Sequence, residues 1–200
     1  MSIQKSKESF VVHLMNNGFS RAAVSFSKFM GNNIKIASTQ SGIARPDDLP
    51  VTVSGKGDLY IIVTQVIGEL SGKSYLIFNE EQSHSLTMLA CHASSVQVNE
   101  QMKEAVLTEI DNIISAAVIS ELSEGLQMEI YGDVPVLKRI PISGLKEFIS
   151  KENQSMDTSA SLICNTAFQL NVDKHIHPQF IWKLSEKIFD MIPSEKLSIR

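Results

Sequence analysis

Apolar positions divide the chain into elements before any chemistry is considered. From Ser6 to about Met30, Val11, Met15, Phe19, Ala22, Phe26 and Phe29 recur at helical spacing, and Gly31, Asn32 and Asn33 predict a stop. "NIKIAST" reads as a short strand, and "QSGIARPDDLP" as a loop that its prolines keep out of regular structure. "DLYIIVTQVIGEL" and "KSYLIFN" are rich in β-branched and aromatic residues and flank "SG", which predicts a hairpin. "EEQSHSLTMLACH" predicts a helix with acidic residues in its first turn. A second long helix is expected from about Asn99 to Leu122, then a strand in "LQMEIYGDVPVL" interrupted near Gly132. "ISGLKEFISKEN" predicts a short helix, "SASLICNTAFQLN" a long strand, and "PQFIWKLSEKIFDMI" a closing helix with Pro178 near its first turn.

Two long helices each precede a set of strands. That order predicts a duplicated α-then-β unit, with halves at about 6–95 and 99–200 of one domain over 1–200, rather than alternating βαβ.

Composition narrows the functional classes. The net charge of -4, from 18 basic and 22 acidic residues with no basic block, argues against nucleic-acid binding through phosphates. No apolar run approaches the roughly 18 residues that cross a bilayer, so no membrane insertion is expected, and the chain is expected in the cytoplasm. Cys91 and Cys164 lie in apolar stretches and are expected to be buried free thiols.

Candidate chemistry centres on "EIDN", residues 109–112. Glu109 and Asn112 are three residues apart and share a helix face. With Ile110 at the middle of the apolar stripe, Met102, Val106, Ile113, Ile114 and Ala117 fall within about 80° of it. Glu109 then lies near the stripe's edge and Asn112 outside it. Ala105 stands one turn before the pair and Ala116 one turn after. Small flanks let another surface approach, whereas a plainly solvated face more often carries lysines and glutamates.

"TEIDNIISAAVISELSE" resembles the active-site helix of the CheC, CheX and FliY chemotaxis phosphatases, whose signature is Glu-x-x-Asn followed after twenty-two residues by Pro. Here Glu109 and Asn112 are followed at that distance by Pro135 in "GDVPVL", and "GELSGKSYLIF" is similar to the strand pair that precedes the helix. The resemblance implies an α+β CheC-like fold, with duplicated halves sharing a mainly antiparallel sheet under two long helices. It implies hydrolysis of the aspartyl phosphate of a CheY-like receiver. Asn112 would position water, Glu109 would dock against the receiver's lysine beside Ala105 and Ala116, and Pro135 would be structural. No cofactor of its own is implied, the magnesium ion being held by the receiver. In the first helix, aligning on Asn16 puts His13 at the glutamate position, and aligning on Asn17 puts Leu14 there. The second register agrees better with the apolar stripe, because Met15 then matches Ile110. Neither supplies a carboxylate or the proline, since Thr39 or Gln40 falls at the matching distance. The pattern is therefore similar to CheX, with one site per chain in a homodimer. Two positions depart from the family: Ala105 where Ser or Asp is common, and Asp111 where Gly is usual. By helical phase Asp111 points away from Glu109. The alternative is a non-catalytic scaffold of the same fold that binds a receiver or flagellar-switch component.

Other residues carry less. His175 and His177 in "HIH" lack a nearby third metal ligand and read as a loop. His84 and His92 read as surface or partly buried residues. Trp182, Phe180 and Phe189 read as core. "NQS" at Asn153 matches a glycosylation acceptor without consequence in the cytoplasm, and "SGKGD" is a turn without the phosphate-loop pattern.

Overall fold

A computed structural model describes residues 3–44, 57–91, 98–154, 161–171 and 178–192. Helix α1 (Ile3–Met30) leads to β1 (Ile34–Ala44), the hairpin β2 (Asp58–Gly68) and β3 (Gly72–Asn79), and α2 (Glu80–Ala90). Helix α3 (Glu100–Leu126) is followed by β4 (Ile130–Gly132), β5 (Val136–Pro141), α4 (Leu145–Gln154), β6 (Ser161–Leu170) and β7 (Gln179–Ser185). The seven strands form one sheet in the order β1-β6-β7-β3-β2-β4, with β5 also on β2, and every pairing is antiparallel. Exchange β1 with the β4–β5 pair, β2 with β6 and β3 with β7, and this order reads the same from the other end. The fold is α+β, the class that the resemblance implies.

Helices α1 and α3 lie on one face of the sheet. Phe19 and Phe26 of α1 meet Phe168 edge-on, at ring-centroid distances of 6.5 and 6.0 Å, and Phe180 packs on Trp182 at 5.5 Å. On the opposite face a smaller cluster of Leu59, Ile61, Tyr75, Ile77, Ile163 and Ile181 is covered in part by Leu145 and Phe148 of α4. Gly31, at φ 62, ends α1 in the left-handed conformation that glycine tolerates. Ser27 Oγ then accepts from Ile34 N at 2.9 Å and ties the helix end to β1.

Three expectations change. The segment "PQFIWKLSEKIFDMI" is no helix: β7 occupies Gln179–Ser185, and only a 3-10 turn follows at Glu186–Phe189. β7 lies between β6 and β3, and all seven of its residues are buried. A strand covered on both faces loses the clean alternation that marks strands in sequence. β1 runs on through Gln40–Ala44, beyond the short strand expected, because β6 offers a partner along its length. Residues 45–56, His92, His175 and His177 lie outside the described residues. Cys164 is buried as expected, but Cys91 is exposed at the end of α2; both are free thiols.

The two long helices touch closely. A Cβ added at Gly18 would lie 2.7 Å from the Val118 Cα, and one at Gly125 would overlap the Leu14 side chain. Alanine at position 18 must therefore push the helices apart, which outweighs its better helix propensity of about 1 kcal/mol. Gly18→Ala is expected to lower the unfolding free energy by about 1–3 kcal/mol, measured by urea titration.

Candidate functional site

Helix α3 is capped at its start by Asn99, whose Oδ1 accepts from Met102 N at 2.9 Å, and ends at Gln127 with φ 57. Sheet and α1 bury two sides of it. The buried positions are Lys103, Leu107, Ile110, Asp111, Ile114, Ser115, Val118, Glu121, Leu122 and Leu126. The seam is thus rotated from the purely apolar stripe, taking in polar residues and leaving Met102, Val106, Ile113 and Ala117 half-buried. Ala105, Glu109, Asn112 and Ala116 are all exposed and form a ridge facing solvent.

The same burial pattern corrects the register in α1. His13, Asn16 and Ser20 are exposed, as are Glu109, Asn112 and Ala116, while Leu14 and Met15 are buried like Ile110 and Asp111. The Asn16 alignment is the structural one, and His13 holds the place of Glu109. The Asn17 alignment went astray because the apolar stripe conceals a buried aspartate, so Met15 matches Asp111 rather than Ile110. His13 Nε2 lies 3.3 Å from Asn17 Nδ2.

Pro135 is half-buried and lies between β4 and β5. β2 pairs with β5 as far as Val63↔Val136 and resumes with β4 at Val66↔Gly132. Three residues, Asp133–Pro135, therefore stand opposite two, Thr64 and Gln65. Proline fits this detour because it has no N–H to give a ladder. Asp133 N donates to Gln65 O at 2.8 Å, which closes the detour against β2.

Between α3 and this corner runs a cleft of about 480 Å³, whose walls include Thr64, Asn112, Ser115, Ala116, Tyr131 and Asp133. The sequence pattern had picked out Asn112 and Ala116 from this wall. Glu109, Ala105 and Pro135 lie outside the lining.

Behind the cleft sits Asp111, with no solvent exposure. Its Oδ2 accepts from Thr64 Oγ1 at 2.6 Å and from Ser115 Oγ at 3.3 Å, and its Oδ1 has no partner. Burial pushes this carboxyl up to about 7, against the opposing effect of the hydrogen bonds from Thr64 and Ser115. Asp111 therefore stays out of the exposed ridge, as its helical phase implied. Sequence reading missed Thr64 and Ser115; the available signal was Thr64, a small polar residue within the apolar run "IIVTQVI". Among the described residues no three His, Cys, Asp or Glu side chains gather as a metal site, and no helix is long and apolar enough to cross a membrane.

No family model matches the chain, and no curated protein sequence matches it. Solved structures do. FliY of Thermotoga maritima superposes with a TM-score of 0.66 at 13% identity, covering 96% of each chain. A structure described as the CheX-CheY-BeF3-Mg complex from Borrelia burgdorferi matches at TM-score 0.54 and 15% identity, over 86% of this chain and 98% of that one. The FliM middle domain of Vibrio alginolyticus matches at 0.54 and 8% identity, over 90% and 95%. The chain has the fold of these chemotaxis and flagellar proteins.

Folding raises the Asp111 carboxyl from 3.8 to about 7, so the folded chain binds this proton more tightly than the unfolded chain. Its contribution is fully present below about pH 4 and is lost as pH rises toward about 7, a change on the order of 4 kcal/mol. Asp111→Asn should remove that dependence. Urea unfolding at both ends of the window should show wild type losing more stability than the variant as pH rises.

Proposed function

We propose that this chain belongs to the CheC, CheX and FliY family and hydrolyses the aspartyl phosphate of a CheY-like receiver protein. One observation carries the reading: Glu109 and Asn112 stand exposed together on α3, between the exposed Ala105 and Ala116, in a fold shared with FliY and CheX. The CheX structure recorded in complex with CheY supports a receiver as the partner.

Phosphoryl transfer passes through a loose transition state, so catalysis rests mainly on positioning and charge. The receiver brings the phosphoryl group, its magnesium ion and its lysine. What remains to be supplied is an attacking water. The Asn112 carboxamide can accept a hydrogen bond from that water and donate one to the phosphoryl group without changing protonation. Holding the water in line contributes roughly a hundredfold, about 3 kcal/mol. Glu109 accepts from the receiver's lysine, a shielded charge-assisted contact of about 1.5–3 kcal/mol. It is a docking group and not a general base. Ala105 and Ala116 leave room for the receiver's surface, and Pro135 shapes the strand corner. His13 in place of a carboxylate on α1 favours one site per chain, which the likeness to CheX extends to a homodimer.

The scaffold reading draws on the likeness to the FliM middle domain and on the departures at Ala105 and Asp111. Single-turnover loss of label from a phosphorylated CheY-type receiver separates the two: a scaffold leaves the rate at its spontaneous value. Asn112→Ala is expected to lower the accelerated rate about a hundredfold with receiver affinity nearly intact; an unchanged rate removes Asn112 from the mechanism. Glu109→Ala is expected to weaken binding of the phosphorylated receiver by about tenfold or more, read by titration calorimetry, and equal affinity counts against the lysine contact.

A further inference from the structure

The Thr64–Asp111 hydrogen bond joins two parts of the sequence that share no local contact. Asp111 is the chain neighbour of Asn112, and Thr64 is one of the two β2 residues that face the Asp133–Pro135 detour. At 2.6 Å, this bond fixes the α3 turn that carries the amide onto the strand position where the partner changes from β5 to β4. Ser115, one turn further along α3, donates to the same oxygen at 3.3 Å. The next polar tie between α3 and β2 lies two turns back, where Tyr60 donates to Glu100 at 3.1 Å and accepts from Lys103 at 3.3 Å. Between these ties α3 rests on apolar contacts, which restrain its distance from the sheet more tightly than its rotation. A directional bond restrains rotation.

We propose that Asp111 and Thr64 are positioning residues, whose hydrogen bond sets the rotation of the α3 turn and so aims the Asn112 carboxamide across the cleft. The proposal deepens the phosphatase reading and rests on it for its kinetic consequence. The position that sequence comparison marks as a departure is thereby a second support of the site. Burying a carboxyl with one oxygen unpartnered is unfavourable for stability alone, and the placement of its other oxygen between two cleft-lining hydroxyls points to alignment.

The test uses Thr64→Val, Asp111→Ala, their double variant and Asp111→Asn, which keeps an acceptor for Thr64. Single-turnover dephosphorylation of a phosphorylated CheY-type receiver should slow about tenfold in each of the first two, with receiver affinity within about twofold of wild type. The double variant should be no slower than the worse single, because one joint is lost in each. Asp111→Asn should recover most of the rate. Phe168→Leu, a core variant remote from the joint, shows whether stability loss alone slows the reaction. In parallel, the Asn112 side-chain amide signals in a proton–nitrogen NMR spectrum should shift or broaden in Thr64→Val and Asp111→Ala, and stay near their wild-type positions in Asp111→Asn. Unchanged signals in both anchor variants overturn the proposal whether or not the chain is a phosphatase. Multiplying rate losses, or a Phe168→Leu loss equal to that of Thr64→Val, also overturn it. Wild-type protein without effect on the receiver overturns the phosphatase reading, while the NMR comparison still decides the joint.

Discussion

The burial of α3 on two sides constrains everything else in this molecule. The sheet takes Leu107, Ile110 and Ile114 into its upper core, and α1 presses close enough at Gly18 that no side chain fits against Val118. What remains open is a narrow ridge, and Ala105, Glu109, Asn112 and Ala116 stand on it. A helix with one packed face would present its polar residues over a broad arc and position none of them well. Two packed faces restrict which residues can meet a partner and hold them on a rigid element.

Polar groups inside the seam give α3 its register. Lys103 is nearly buried, yet it reaches Glu100 at 2.8 Å and lies over the Tyr60 ring at 5.2 Å. Glu121 pairs with Arg21 of α1 at 2.6 Å, with the carboxylate mostly covered. Asp111 reaches Thr64 between these two ties. Apolar contacts alone tolerate small slips of a helix on a sheet, whereas a buried donor or acceptor is costly to displace from its partner. The three contacts are spaced along α3 from its first turn to beyond Asn112, so the exposed ridge is fixed at both ends and at its middle.

Much of this was legible in the chain, for identifiable reasons. The long helices announced themselves by period, the first with a clear stop at Gly31 and the second read to about Leu122 where α3 runs on to Leu126, and the β2–β3 hairpin by β-branched runs around a short turn. The break near Gly132 appeared as the end of β4, and Pro135 sits in the detour beyond it. Other elements were hidden by the same physics that stabilises them. β7 reads as a helix in sequence because its burial on both faces removes alternation, and Lys183, Glu186 and Lys187 give the stretch a helix-like composition. The alignment of α1 on α3 slipped by one residue because Asp111, charged by type, is buried in fact.

The order of most elements, the pairing of Glu109 with Asn112 on one helical face, and the distance from that pair to Pro135 are already set along the chain. These follow from covalent spacing and helical period, which are local. The tertiary structure alone decided that this face is open, that a cleft runs beside Asn112, and that Thr64 stands behind it holding Asp111. Such features arise where residues 47 positions apart meet across a helix–sheet boundary, and no local period encodes which strand position a helix turn will rest upon.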